Sequence, residues 1–116
     1  MIFYLNLFAS YIKIKYFSIM LTAQEIRKLR DDTGLSVNQF CQLFGVAPST
    51  ITHWETDRTS PPMVIQVMMS ELRGRITGMR QMSDATDAAI KTALLSLLIG
   101  GGIVGIMTWL FTRDKE

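Results

Sequence analysis

From Thr92 to Thr112 the chain runs for 21 residues without a charged side chain, and Lys91 and Arg113 bracket the run. No other feature limits the fold so tightly, because an apolar stretch of this length must be hidden from water in a core, a partner or lipid. As a helix rising ~1.5 Å per residue it just covers the ~30 Å of a bilayer's hydrocarbon. Ten of the residues from Ala93 to Phe111 are Leu, Ile, Val or Phe. On the insertion scale these favour lipid by roughly 3–6 kcal/mol, offset in part by glycines and hydroxyls. Trp109 falls near the far end, where indole rings settle at a membrane interface. The expectation is a single hydrophobic transmembrane helix over 92–112, contacting lipid, with a charged tail at 113–116.

Gly100, Gly101 and Gly102 bear on how the stretch is hidden. In water, three consecutive glycines cost a helix about 3 kcal/mol and break it. In lipid, unpaired backbone is costlier still, so the helix is expected to persist and the glycines to become a contact surface. Gly101 and Gly105 form a G-x-x-x-G, which permits close approach of two helices. The competing arrangement is a soluble apolar hairpin buried in a dimer interface.

The other end of the chain is also apolar. MIFYLNLFASYIKIKYFSI is interrupted by Lys13 and Lys15, lacks a basic start and is followed by no small-residue cleavage site, so it is a poor secretory signal. It is also too short and too charged for a span. Composition changes abruptly at Met20, where MLTAQEIRKLR begins like a natural start. Residues 1–21 therefore read as an apolar extension from a wrongly assigned upstream start, or else as a membrane-skimming arm.

Between these ends, residues 22–73 read as a compact helical domain. Thr22 with Glu25, and Ser36 with Gln39, are capping-box pairs that open two helices. Ile26 and Leu29 give the first helix an inward face, and Phe40, Leu43 and Phe44 give the second one. Gly34 and Gly45 suit the left-handed positions that end them. Pro48 fits the first turn of a third helix, over about 48–56, whose Ile51 and Trp54 face the core. DRTSPP is a loop, with Ser60 a cap and Pro61 opening a fourth helix. In that helix Ile65, Met69, Leu72, Ile76 and Met79 recur at heptad-like spacing, which serves either an internal core or pairing with a second copy. Residues 74–91 then form a helical linker, with a polar break at SDATD, 83–87. The fold class expected is all-α: a small bundle of four to five helices followed by the hydrophobic one.

The set Ile26, Leu29, Gly34-Leu35-Ser36, Phe40, Cys41, Phe44, Gly45, Val46, Ile51 and Trp54-Glu55, with a proline after the loop, resembles the Xre/Cro-type, lambda-repressor-like helix-turn-helix. The resemblance covers about residues 22–72. Two helices crossing over a tight turn need a small side chain where they touch, and Cys41 supplies it. Gly45 avoids a clash at positive φ. In the family pattern the positions of Arg30 and Glu55 often form an ion pair tying the first helix to the third.

The resemblance implies that the third helix enters the DNA major groove. Carried over by position, the base-facing residues are Ala47, Pro48, Ser49, Thr50, Thr52 and His53. Hydroxyls pair with several bases, small carbons pack on thymine methyls, and His53 donates to guanine or phosphate. None makes the bidentate contacts that discriminate by about 1–3 kcal/mol each, so DNA shape is expected to supply part of the choice. Gln39, Thr56, Arg58, Thr59 and Lys28 are the expected phosphate contacts. Arg27, Lys28, Arg30 and Arg58 face Glu25, Asp31, Asp32, Glu55 and Asp57 in this segment, and the net charge of the chain is only +2, so single-domain affinity should be low and salt-dependent. A homodimer on a palindromic site would offset that.

His53, the only histidine, lacks neighbours at metal-ligand spacing and defaults to a surface residue; Trp54, Phe40 and Phe44 default to core. Ala47 forfeits the roughly 1 kcal/mol of a Ser or Thr cap. One cysteine fits a reducing compartment. The residues contain no paired-carboxylate, Ser-His-Asp, phosphate-loop or metal-ligand constellation, so no enzyme activity, metal or cofactor is expected. The resulting expectation is a dimeric, membrane-tethered, sequence-specific transcriptional regulator of bacterial or phage type, binding double-stranded DNA. The alternative is a membrane-anchored adaptor whose helical domain binds a protein. Localisation is expected at the cytoplasmic face of the membrane, single-pass with the N-terminus inside, or else in the cytoplasm. Arg73, Arg75, Arg80 and Lys91 outnumber Arg113 and Lys115, in line with the positive-inside rule.

Overall fold

The computed structural model describes residues 20–82 and 86–112, so the apolar extension at 1–19 and the tail at 113–116 lie outside it. The described residues form five helices and no strands: α1 (Ala23–Thr33), α2 (Val37–Phe44), α3 (Pro48–Glu55), α4 (Met63–Met82) and α5 (Asp87–Phe111).

Local chemistry sets the first boundaries. The Glu25 N–H donates to Thr22 Oγ1 at 3.1 Å while the Thr22 N–H donates to Glu25 Oε1 at 2.9 Å. The Ser36–Gln39 pair repeats this at 3.2 and 3.1 Å. Each box satisfies two donors that a helix start leaves orphaned. Gly34 ends α1 at φ 73° and Gly45 ends α2 at φ 66°, both left-handed. Pro48 starts α3 behind Ala47, which makes no side-chain cap bond. The fourth helix begins later than the Ser60–Pro61 signal implies. Pro61 is buried, and the carbonyl of Pro62 accepts from the Gln66 N–H, so the first helical residue is Met63.

One core joins all five helices. Ile26, Leu29, Phe40, Leu43, Ile51, Met68, Met69 and Leu72 are fully buried in it. Phe40 and Phe44 meet edge to face at 5.1 Å. The heptad-like seam of α4 is consumed here: Ile65, Met69, Leu72 and Ile76 are buried inside the same chain, and Met79 packs against them. The seam thus serves the internal core. Gln66, a polar residue within that buried surface, is satisfied by accepting the Leu21 N–H at 3.0 Å, as a buried amide must be.

By length and composition, α5 is long and apolar enough to cross a membrane. It is not straight. Gly102 has φ 58° and ψ −148° and divides it, a backbone region reached almost only by glycine. The second limb turns back on the first, so that a Cβ at Gly105 would lie 3.2 Å from the Leu97 carbonyl oxygen. The expected uninterrupted helix through the glycine triplet is therefore bent, because the side chains on either side of it find seats on the domain. Ile90 and Leu94 from the first limb, and Ile106 and Leu110 from the second, are buried as α5 packs on α1, α2 and α4. The Arg75 side chain on α4 donates to the carbonyls of Leu110 at 3.3 Å and Thr112 at 3.0 Å, and its guanidinium stands 5.0 Å from the Trp109 ring centroid.

Candidate nucleic-acid interface

The geometry of the α2–α3 pair follows from two small residues and one ion pair. Gly45 turns the chain, and Cys41, 3% exposed, lies in the core of the domain. Burial pushes its thiol above the ordinary range, and the side chain donates to the Asn38 carbonyl at 3.1 Å. Such a thiol is a packing group rather than a nucleophile. Ile51 and Trp54 anchor the inner face of α3.

Arg30 and Glu55 then fix α3 against α1, as the sequence pattern implies. Nε donates to Oε2 at 2.7 Å and Nη2 to Oε1 at 3.0 Å. The hydrogen bond to Glu55 raises the Arg30 pKa further, against the opposing effect of burial. A forked pair of this kind gives orientation as well as energy. Arg27 adds a second, looser contact, 3.9 Å from the same carboxylate, and donates to the Glu55 carbonyl at 3.4 Å. Spacing gave no sign of it, since Arg27 is one of several surface cations on α1.

With the inner face held, the outer face of α3 is left open. Ser49, Thr52, His53, Thr56 and Arg58 line one cleft of about 320 Å³. All five are exposed, and so are Ala47 and Pro48 at the start of α3 and Thr59 in the loop. Thr50 is half-buried on the flank of the helix. Gln39 stands apart at the start of α2, half-buried, with its carbonyl oxygen committed to the Ser36 N–H and its amide hydrogens left as donors. The structure therefore brings five of the candidate residues together and spaces the others around them.

Two of these hydroxyls have a defined polarity. Thr52 Oγ1 donates to the Pro48 carbonyl at 3.3 Å, and Thr56 Oγ1 donates to the Thr52 carbonyl at 2.8 Å. In the free chain each proton is turned into the helix, which leaves the oxygen able to accept from the exocyclic amines of adenine and cytosine; a hydroxyl that rotates outward can instead donate to a phosphate. The loop that carries Arg58 is fixed by its backbone: the N–H groups of Arg58 and Thr59 both donate to the His53 carbonyl, at 2.9 and 3.4 Å. Asp57, with φ 63°, makes the sharp reversal that allows this.

Charge is sparse around the cleft. Lys28 is bonded to Asp32 at 3.1 Å, and Arg27 and Arg30 are held by Glu55. Arg58 takes part in none of the described ion pairs. Among the cations from Thr22 to Pro62 it is thus the one left to meet a phosphate at full strength, fewer than the bare sequence suggests.

The whole chain has no match among curated proteins or solved structures. One segment of it does match a family. Built around α2, the Gly45 turn and α3, residues 23–70 fit the model of the family described as a helix-turn-helix domain.

Proposed function

We propose that the chain is a sequence-specific DNA-binding transcriptional regulator of the Xre/Cro, lambda-repressor-like type, acting as a dimer and tethered to a membrane through residues 92–112. The observation that carries this reading is the open cleft on α3, where Ser49, Thr52, His53, Thr56 and Arg58 converge and no element among the described residues covers them. In it α3 lies in the major groove: the Thr52 and Ser49 hydroxyls and the His53 imidazole meet base edges, while Arg58, Thr56, Thr59 and the Gln39 amide hold phosphates. Ala47, Pro48 and the Thr50 methyl offer carbon to thymine methyls.

One unpaired cation between Thr22 and Pro62 gives weak binding, and this is the reason for two copies. A dimer on a palindrome doubles the phosphate contacts, and confinement at a membrane raises local concentration further. The α4 seam is spent on the internal core, so pairing uses another surface. The helix-turn-helix side faces the cytoplasm, where the DNA is.

The test is duplex selection followed by gel retardation with the full-length chain in detergent, since α5 shares the core and a truncated domain would lose Ile90, Leu94, Ile106 and Leu110. Enrichment of a palindromic sequence, with retardation that weakens steeply with salt, is the expected result. A pool with no enriched sequence removes the proposal. The second reading, an adaptor that docks a protein, is favoured by the same scarcity of free cations. It predicts no retardation even at low salt.

A further inference from the structure

Among the described residues nothing packs on the outward side of α5, although one side of both limbs is seated on the domain. Of its most apolar 18-residue window, 17% is buried, which is not the pattern of a core helix in a water-soluble domain. Ile99 is 86% exposed and Val104 70% exposed, one on each side of the Gly102 bend, and Met107 and Phe111 continue the face along the second limb. On the first limb Thr92 and Ser96 share the outward stripe with Ile99, so it becomes more apolar towards the bend.

We propose that this face is a bilayer contact in which α5 lies in one leaflet as a bent hairpin, with both of its ends on the side of the helix-turn-helix domain, rather than crossing the membrane. The inference rests on the reading that residues 92–112 are the membrane tether, and it specifies their topology.

Three observations support it. The limbs, 87–101 and 103–111, are about 22 Å and 13 Å long at 1.5 Å per residue, so neither reaches across ~30 Å of hydrocarbon. Straightening α5 with its first limb in place would require Ile106 and Leu110 to leave the core, and Arg75 to release the Leu110 and Thr112 carbonyls. Charge fits a one-sided contact. Lys91 precedes the uncharged run and Arg113 follows it. A hairpin of this kind would put a cation before the run and one after it on the same side of the membrane, level with anionic headgroups, while Trp109 takes an interfacial place beside Arg75.

The experiment uses the full chain expressed in a bacterial host, with Cys41→Ala as background and a single cysteine introduced by either Gln24→Cys or Glu116→Cys. Membrane vesicles, inverted and right-side-out, are treated with a membrane-impermeant maleimide after flotation. Labelling of both positions in inverted vesicles, and of neither in right-side-out ones, is the expected result. Labelling of the two positions from opposite sides overturns the hairpin and leaves the tether standing. Failure to float overturns both, and a water-soluble dimer in that fraction assigns the face to a second copy. The double variant Val104→Glu with Met107→Glu should lose at least tenfold of its floated fraction with unchanged helical circular dichroism; unchanged flotation overturns the proposal.

Discussion

Arg30 and Glu55 join α1 to α3 through two parallel hydrogen bonds, at 2.7 and 3.0 Å, across 25 residues of sequence. Glu55 is 7% exposed and Arg30 21%, so removing one partner strands a charge that water reaches poorly. Arg30→Ala should lower unfolding free energy by about 2–4 kcal/mol, and the double change Arg30→Met with Glu55→Met by less than either single loss, as found when buried pairs are replaced whole. Denaturant titration of the full-length variants measures this. Because the hydrogen bond to Glu55 raises the Arg30 pKa above its ordinary value, the stability that Arg30 gains from its charge fades only as pH climbs past that value.

The outward face of α3 can be altered without touching the core. Ser49→Glu with His53→Glu places two acids where the proposed DNA would lie, and should reduce retardation of the selected duplex at least tenfold while stability moves by no more than about 0.5 kcal/mol. Arg58→Ala should weaken binding to selected and unrelated duplexes alike and flatten the salt slope by about one. A loss confined to the selected duplex would show that Arg58 reads a base.

Ile103 places its Cδ1 2.7 Å from where a Cβ at Gly45 would stand. Gly45→Ala should cost about 1–2 kcal/mol from the left-handed backbone alone, plus the displacement of Ile103. In an Ile103→Val background, which lacks that terminal methyl, the displacement cost should disappear. A double-mutant cycle that shows no coupling would mean that the second limb of α5 does not rest on the helix-turn-helix corner in solution.

Cys41 should resist alkylation in the folded chain and react at once in denaturant. Burial holds its thiol above the ordinary value of 9.0, so the folded form keeps the proton that the unfolded form releases. Stability is unaffected below that pH and falls as pH rises beyond it. Mass spectrometry after iodoacetamide treatment at pH 8 distinguishes the two states.

Much of the domain was readable one helix at a time. Both capping boxes and the glycine ends at Gly34 and Gly45 involve partners only a few positions away, and the inward residues of the first three helices recur at helical spacing, so pattern alone identifies them. Ser60 and Pro61 resemble a cap and first turn, yet α4 starts at Met63, where the Pro62 carbonyl takes the first helical hydrogen bond from the Gln66 N–H. The candidate contact residues around α3 were nameable in advance, but not their convergence into one cleft, nor the inward turn of the Thr52 and Thr56 protons.

What the sequence by itself determined is which segments are helical, where the small residues must stand, and that 92–112 needs somewhere apolar to go. Only the tertiary structure decided the destinations. The α4 seam closes its own core, three of the four cations from Thr22 to Pro62 are spent on Glu55 and Asp32, and Gly102 bends α5 back onto the domain. The reason is that caps and turns are settled by neighbours in the chain, whereas an apolar stripe, a cation or a run of glycines accepts several partners and takes the one that the packed helices bring within reach.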